Sequence, residues 1–130
     1  MEHESDRSLD VILAELSRRE PIFHREEFGR TRTDFDRMMA PEFWEIGASG
    51  RRYSREFVLD ELERRYSGKF HDVWKASEFA VQRLAEETFL LTYLLLQDGT
   101  RLTRRTTIWR RTKEASWEIV FHQGTVVERG

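Results

Sequence analysis

Two side chains in this sequence combine a titratable group with apolar neighbours, a setting that can support proton transfer. Glu45 follows Trp44 in a short apolar stretch, where apolar surroundings would raise the carboxyl pKa towards the working range of a general base. His122 ends another apolar stretch, beside Gln123, and an imidazole changes its charge near neutral pH. Glu45 and His122 are therefore the candidate catalytic residues.

Both residues also have a structural interpretation. Glu45 could form an ion pair with an arginine such as Arg105. Such structural ion pairs also shift the pKa of a carboxyl group, so a shifted pKa alone would not indicate catalysis. His122 could be hydrogen-bonded into the fold, a common role for an imidazole with two ring nitrogens. Whether His122 or Gln123 faces a pocket depends on the length of the turn at residues 112–116, which the sequence does not determine.

A third set of candidates lies along one strand. Arg105, Thr107 and Trp109 are two residues apart, so their side chains share one face, and Thr92 is expected opposite them. A guanidinium, hydroxyls and an indole suit an apolar ligand with an anionic or carbonyl group, although a polar dimer face has the same composition. The predicted ligand-binding residues are Trp44, Glu45, Thr92, Arg105, Thr107, Trp109, His122 and Gln123.

These side chains must be positioned by a sheet, and its clearest predicted element is the hairpin from Thr88 to Arg111. Asp98-Gly99 separates its two strands and is typical of the type I′ hairpin turn. The expected pairs are Gln97 with Thr100, Tyr93 with Arg104, Thr92 with Arg105, and Leu90 with Thr107. The strand before the turn, residues 89–96, is apolar on both faces. We therefore expect helices to cover one face of the sheet and a second copy of the sheet to cover the other. Tyr93 is expected at that dimer contact.

The remaining elements follow from apolar periodicity and end signals. Residues 8–19 should form an amphipathic helix that ends before Pro21, and a short helix should follow a capping box at residues 33–36. A third helix should run from Ser54 to Gly68. The other predicted strands are 43–46, 73–84 and 117–122. This order predicts an α+β cone, in which three N-terminal helices pack on a curved, mainly antiparallel sheet and leave a cavity.

Length and composition restrict the class of protein. A chain of 130 residues fits a single domain, with its core at about residues 8–125, and 38% hydrophobic residues are enough to exclude disorder. The absence of cysteine excludes disulfides and thiolate chemistry. The net charge of −2 argues against nucleic-acid binding, although one predicted strand is rich in arginine. Without an apolar leader or a membrane-length apolar stretch, we expect a cytoplasmic protein.

By residue type alone, the other three histidines could bind a metal ion. His3, His24 and His71 have no spacing to one another or to carboxylates that resembles a metal site. We therefore expect neither a metal ion nor a cofactor.

Several stretches together resemble one superfamily. The order of the helices, residues 43–51, residues 105–109 and the ending at 122–125 resemble the small, largely uncharacterised bacterial branch of the nuclear transport factor 2-like superfamily. The resemblance spans residues 9–125. It implies a cone-shaped, cystatin-like α+β fold, commonly a homodimer through the sheet, with a pocket at the open end.

The resemblance implies less about chemistry, because the superfamily includes ketosteroid isomerase, scytalone dehydratase, SnoaL-like polyketide cyclases and non-catalytic binding modules. The aspartate base of the isomerase and the paired histidines of the dehydratase have no identifiable counterpart in this sequence. We therefore predict a homodimer that binds a small, partly apolar molecule without established catalysis. The alternatives are an acid–base isomerase, dehydratase or cyclase that uses Glu45 or His122, and a protein-interaction module that uses the sheet face.

Overall fold

The computed structural model describes residues 2–68, 73–114 and 116–128, with side chains from Leu9 onward. Its helices are α1 (Glu2–Arg19), α2 (Arg32–Met38) and α3 (Arg55–Ser67). Its strands are β1 (Met39–Ile46), β2 (Arg52–Ser54), β3 (Trp74–Ala85), β4 (Thr88–Gln97), β5 (Arg101–Arg111) and β6 (Trp117–Val126). The strand order is β2-β1-β6-β5-β4-β3, with β1 parallel to β6 and the other pairs antiparallel. The predicted α+β class is confirmed.

Local signals explain where the helices begin and end. The Ser54 hydroxyl accepts the Phe57 backbone N–H at 3.1 Å and caps α3 as predicted. The capping box predicted at residues 33–36 is wrong, because Thr31 caps α2. Its hydroxyl accepts the Asp34 N–H at 3.2 Å, and the Asp34 carboxylate accepts the Thr31 N–H at 3.2 Å. Asp34 therefore occupies the third helical position, which a cap at Thr31 requires.

The hairpin forms where the sequence predicts it, but its register differs by one residue. Asp98 and Gly99 have positive φ angles of 52° and 72°, and the Thr100 N–H donates to the Gln97 carbonyl at 3.2 Å. The strands then pair Gln97 with Arg101, because Thr100 is an extra residue in the loop. The predicted pairs are therefore wrong. The observed ones include Tyr93 with Arg105, Thr92 with Thr106, Leu90 with Ile108, and Phe89 with Trp109.

The one-residue shift in the pairing of β4 with β5 determines which of their side chains enter the core. The inner face of the sheet carries Phe89, Leu91, Tyr93 and Leu95 of β4, Thr103, Thr107 and Trp109 of β5, and Trp117, Ile119 and His122 of β6, all buried. The apolar members form one cluster with residues of all three helices, among them Leu16, Phe35 and Leu59. Tyr93 is 1% exposed within the chain itself, so its predicted place at a dimer contact is wrong.

The helices also bear on the question of membranes. No helix in the described part of the chain is long and apolar enough to span a bilayer. The predicted cytoplasmic location remains a prediction.

α1 begins at Glu2, earlier than the predicted residue 8, because no glycine or proline interrupts its first residues.

Candidate functional site

A cavity of about 450 Å³ opens between α3, the turn that joins β1 to β2, and the inner face of the sheet. The α3 wall is mixed in character and includes Phe57, Val58, Glu61 and Leu62. The sheet wall is polar and includes Gln97, Thr103, Arg105 and His122. Glu45 and Tyr53 line the third side, at the β1–β2 pair, where they lie opposite each other in register. Charged side chains therefore lie on both walls, Glu61 on α3 and Arg105 on the sheet, and the apolar surface is that of Phe57, Val58 and Leu62 on α3.

Arg105 is held in the sheet wall by neutral oxygen atoms. Its Nε donates to the Thr103 hydroxyl at 3.1 Å, and its Nη2 donates to the Gln97 side-chain oxygen at 3.2 Å. Among the described residues, no carboxylate forms an ion pair with Arg105, unlike Arg32, Arg55 and Arg110, which each have a carboxylate partner. The cavity therefore contains a partly buried cation whose charge is not balanced by a direct partner.

Glu45 and His122 meet in the same cavity. The Glu45 Oε1 lies 3.6 Å from the His122 Nδ1, and the two side chains are 20% and 10% exposed. The distance exceeds that of a hydrogen bond, and the buried His122 Nδ1 has no hydrogen-bond partner in the described residues. β1 and β6 bring the pair together, because Glu45 lies opposite His122 in their parallel register. The suggested Glu45–Arg105 ion pair is not formed in the structure, and His122 takes that place.

The structure also contains a buried carboxylate that sequence reasoning missed. Glu20 is 1% exposed, and its Oε1 accepts the Tyr93 hydroxyl at 2.9 Å and the Ile22 N–H at 3.2 Å. Its Oε2 accepts the Trp109 indole N–H at 2.9 Å. Burial and then the Glu20 charge raise the pKa of the Tyr93 phenol, while Arg105 acts in the opposite direction. The network thus connects Glu20 through Tyr93 to the cavity arginine.

Of the predicted ligand-binding residues, the structure brings Glu45, Arg105 and His122 to the cavity. Thr107 and Trp109 share the inner face with them, as predicted, but they are 0% and 1% exposed and lie within the core. The Trp109 indole N–H donates to the Glu20 carboxylate. The Thr107 hydroxyl has no hydrogen-bond partner among the described residues.

The other three predicted residues lie on the outer face of the sheet. Thr92 pairs with Thr106, so its predicted place beside Arg105 is wrong because of the extra loop residue. Gln123 lies opposite Thr106 on β6, and the open choice between His122 and Gln123 is decided for His122. The Trp44 ring packs on Phe121 with 4.6 Å between centroids, which places it away from the cavity.

The described residues hold no cluster of three or more His, Cys, Asp or Glu side chains arranged as metal ligands. His71 and the side chain of His3 lie outside the described residues. His24 lines the cavity near Phe23. The absence of a metal ion and of a cofactor remains a prediction.

No protein-family model matches the sequence, and no curated protein matches it either. Solved structures do resemble the fold. A nuclear transport factor 2-like protein from Cytophaga hutchinsonii has a TM-score of 0.68 at 16% identity, over 91% of this chain and 97% of that one. The chain has the nuclear transport factor 2-like fold. The resemblance predicted from residues 43–51, 105–109 and 122–125 is therefore confirmed for the fold.

Two further structures support the nuclear transport factor 2-like fold. A nuclear transport factor 2-like protein of unknown function in nutrient uptake, from Rhodospirillum rubrum, has a TM-score of 0.63 at 20% identity, over 75% of this chain and 85% of that one. An uncharacterised protein with a cystatin-like fold from Caulobacter vibrioides has a TM-score of 0.62 at 15% identity, over 75% and 76%. At such identities the likeness concerns the fold, and the function must be argued from the cavity.

Proposed function

We propose that this protein binds a small, partly apolar molecule in the cavity, with an anionic or carbonyl group of the ligand at Arg105. The observation that carries the proposal is the partly buried guanidinium of Arg105. Among the described residues it is held by neutral groups, the side-chain oxygens of Thr103 and Gln97 and the Tyr93 hydroxyl, and by no carboxylate. Charge in a partly desolvated site favours a counter-ion, and a guanidinium binds carboxylates with two parallel hydrogen bonds. The apolar part of the ligand would lie against Val58 and Leu62 of α3.

The proposal includes a cone-shaped arrangement, in which the curved sheet and the helices enclose this cavity and leave one end open. The cavity volume of about 450 Å³ lies within the range of small-molecule sites. Arg105 projects from the inner face of β5, so a ligand that enters beside α3 would meet the guanidinium on the opposite wall.

Calorimetric titration with decahydronaphthoate, an apolar carboxylate, tests the proposal, and the corresponding neutral alcohol is the ligand control. We expect the carboxylate to bind and the alcohol to bind at least about tenfold more weakly, because it lacks the charge. Arg105→Gln should remove the difference. Arg104→Gln is the matched control variant, since Arg104 is the neighbouring residue on the outer face and is exposed. Equal binding to wild type and to Arg105→Gln would refute the anion site.

The Glu45–His122 pair favours a second function, acid–base catalysis of the isomerase, dehydratase or cyclase type. A carboxylate and an imidazole 3.6 Å apart in a cavity can act as general base and general acid, which remove a proton from a substrate and return it. The buried Nδ1 of His122 has no hydrogen-bond partner among the described residues and faces Glu45, so the carboxylate can orient the imidazole. An anion or enolate formed beside them would lie in the same cavity as Arg105.

Deuterium exchange from solvent into unsaturated ring ketones, read by mass spectrometry, tests the catalytic proposal. We expect exchange that falls by at least about a hundredfold in Glu45→Gln and in His122→Gln, as for loss of a general base. Glu61→Gln is the matched control, because Glu61 also lines the cavity but pairs with Arg64 at the helix surface. Exchange that survives both Glu45 and His122 variants would remove this pair from the mechanism.

We further propose that the protein is a homodimer, with a second copy on the outer face of the sheet. This face carries partly exposed apolar side chains, among them Leu90 and Leu94 of β4, Ile108 of β5 and Phe121 of β6. Apolar side chains on such a face can pack against those of a copy related by a twofold axis. The helices already contribute to the core on the inner face, so the outer face is the one left for a partner.

A further inference from the structure

We propose that the cavity selects ligands with a flat aromatic ring, which stacks on Phe57, so that the preferred ligand is an aromatic carboxylate. This inference rests on the proposed anion site at Arg105 and specifies the other end of the ligand. It depends on three observations at the cavity wall: an ordered pair of aromatic rings, an exposed face on one of them, and a charged group on the opposite wall.

The rings of Tyr53 and Phe57 are stacked, with 4.7 Å between centroids and 13° between planes. Both line the cavity. Tyr53 is fixed by close packing, since a Cβ at Gly47 would lie 2.8 Å from its Cε2 atom. Phe57 is fixed at the first turn of α3, where its N–H donates to the Ser54 hydroxyl. The pair therefore forms a preorganised flat surface.

Phe57 presents apolar surface at the cavity wall. It is 45% exposed, although one side of its ring contacts Tyr53 and the neighbouring Val58 and Leu59 are buried. Folding would tolerate a polar residue at such a position in a surface helix. An aromatic ring that extends the Tyr53–Phe57 stack would remove this apolar surface from water and gain ring–ring attraction.

We expect the carboxylate end of the ligand to bind to Arg105, on the wall opposite Phe57. Arg105 lies on the sheet wall and Phe57 on the α3 wall of the same cavity, with Leu62 and Phe23 also lining it. A rigid aromatic acid can contact both walls without the loss of conformational freedom that a flexible chain would suffer. A saturated ring of similar size would satisfy Arg105 equally but would stack poorly on Phe57.

The test compares naphthoate with decahydronaphthoate, its fully saturated counterpart, by calorimetric titration. We expect naphthoate to bind roughly three- to tenfold more tightly to the wild-type protein, as ring stacking predicts. Phe57→Leu should reduce the ratio to about one, because leucine keeps apolar bulk without a flat ring. Phe57→Tyr should preserve the ratio and shows that the effect follows the ring. Circular dichroism confirms that the variants are folded.

The possible results distinguish the aromatic selectivity from the anion site at Arg105. Equal affinity for the two acids in the wild-type protein, or a preference that persists in Phe57→Leu, overturns the aromatic selectivity while the anion site stands. Failure of both acids to bind, or unchanged binding of both in Arg105→Gln, overturns the proposed function and the aromatic selectivity with it.

Discussion

The Glu20 carboxylate accepts the indole N–H of Trp109 at 2.9 Å, although the two residues are 89 positions apart in the chain. The same carboxylate accepts the Tyr93 hydroxyl, 73 positions away, at 2.9 Å. These bonds connect the residue that follows α1 to both strands of the hairpin, β4 and β5. A buried carboxylate is tolerated when it accepts several hydrogen bonds, and here the donors come from three separate parts of the chain.

Removal of one donor from this carboxylate should destabilise the protein. Tyr93→Phe keeps the ring but leaves Glu20 Oε1 with the Ile22 N–H alone among its described donors. We expect the free energy of unfolding to fall by about 1–3 kcal/mol, the cost of losing one hydrogen bond to a buried carboxylate. Denaturant unfolding measures the change. Glu86→Gln, at an exposed turn, is the control and should change stability by less than about 0.5 kcal/mol. A wild-type midpoint for Tyr93→Phe would contradict this account.

The same tyrosine should make the protein sensitive to alkali. Burial raises the pKa of the Tyr93 phenol above its ordinary value, so the folded state holds the proton more tightly than the unfolded state does. Stability from the neutral phenol is complete below about pH 10, where unfolded tyrosine titrates, and is lost as the pH rises through the folded pKa. Unfolding free energies measured from pH 8 upward should therefore fall more steeply for wild type than for Tyr93→Phe. Parallel curves for the two proteins would disprove the linkage.

The capping box at Thr31 gives a matched pair of threonine variants. Thr31→Ala removes the hydroxyl that accepts the Asp34 N–H and should lower the unfolding free energy by about 1 kcal/mol. Thr33→Ala, inside α2 and exposed, should be neutral or slightly stabilising, because alanine favours the helix. Thermal denaturation distinguishes the two. If Thr33→Ala is the more damaging, the cap lies where the sequence pattern first suggested it.

The proposed dimer should respond to charge on the outer face of the sheet. Leu94→Glu places a carboxylate on this face, and we expect the protein to change from dimer to monomer in sedimentation, because an unpaired charge cannot be buried in the contact. Leu84→Glu is the control, since Leu84 is 51% exposed at the end of β3. A wild-type protein that sediments as a monomer, or a dimer that persists in Leu94→Glu, would exclude this interface.

Much of the fold could be predicted from local signals. The end of α1 before Pro21, the cap at Ser54, the turn at Asp98-Gly99 and the strand around Glu45 are each specified within a few residues, where steric and capping rules operate. The hairpin register could not be predicted so well. One additional loop residue, Thr100, shifts every later pair and exchanges the faces of the strand, so Thr92 was placed inside and Tyr93 outside.

The site was partly predictable for a related reason. Arg105 reaches the cavity through strand alternation, which the sequence shows, and Glu45 reaches it through its place on β1. His122 faces the cavity because the pairing of β5 with β6 is irregular between Ile119 and Phe121, and the sequence does not reveal this irregularity. Glu20 was missed because its partners are distant in sequence and a glutamate before a proline resembles an ordinary helix end. Phe57 lies within the predicted third helix, but its place at the cavity could not be predicted, because periodicity indicates which residues are apolar and not which of them line a cavity.

The irregular strand β3 has a consequence for how chains associate. β3 is the last strand of the sheet, and its pairing with β4 is interrupted between Ser77 and Ala80, where Glu78 has a φ of 55°. A regular outer strand would offer a row of free backbone groups on which further chains could add, the first step towards amyloid fibrils. The interruption at Glu78, three residues after the exposed Lys75, breaks that row. We expect this irregular edge strand to oppose fibril growth by addition of further chains.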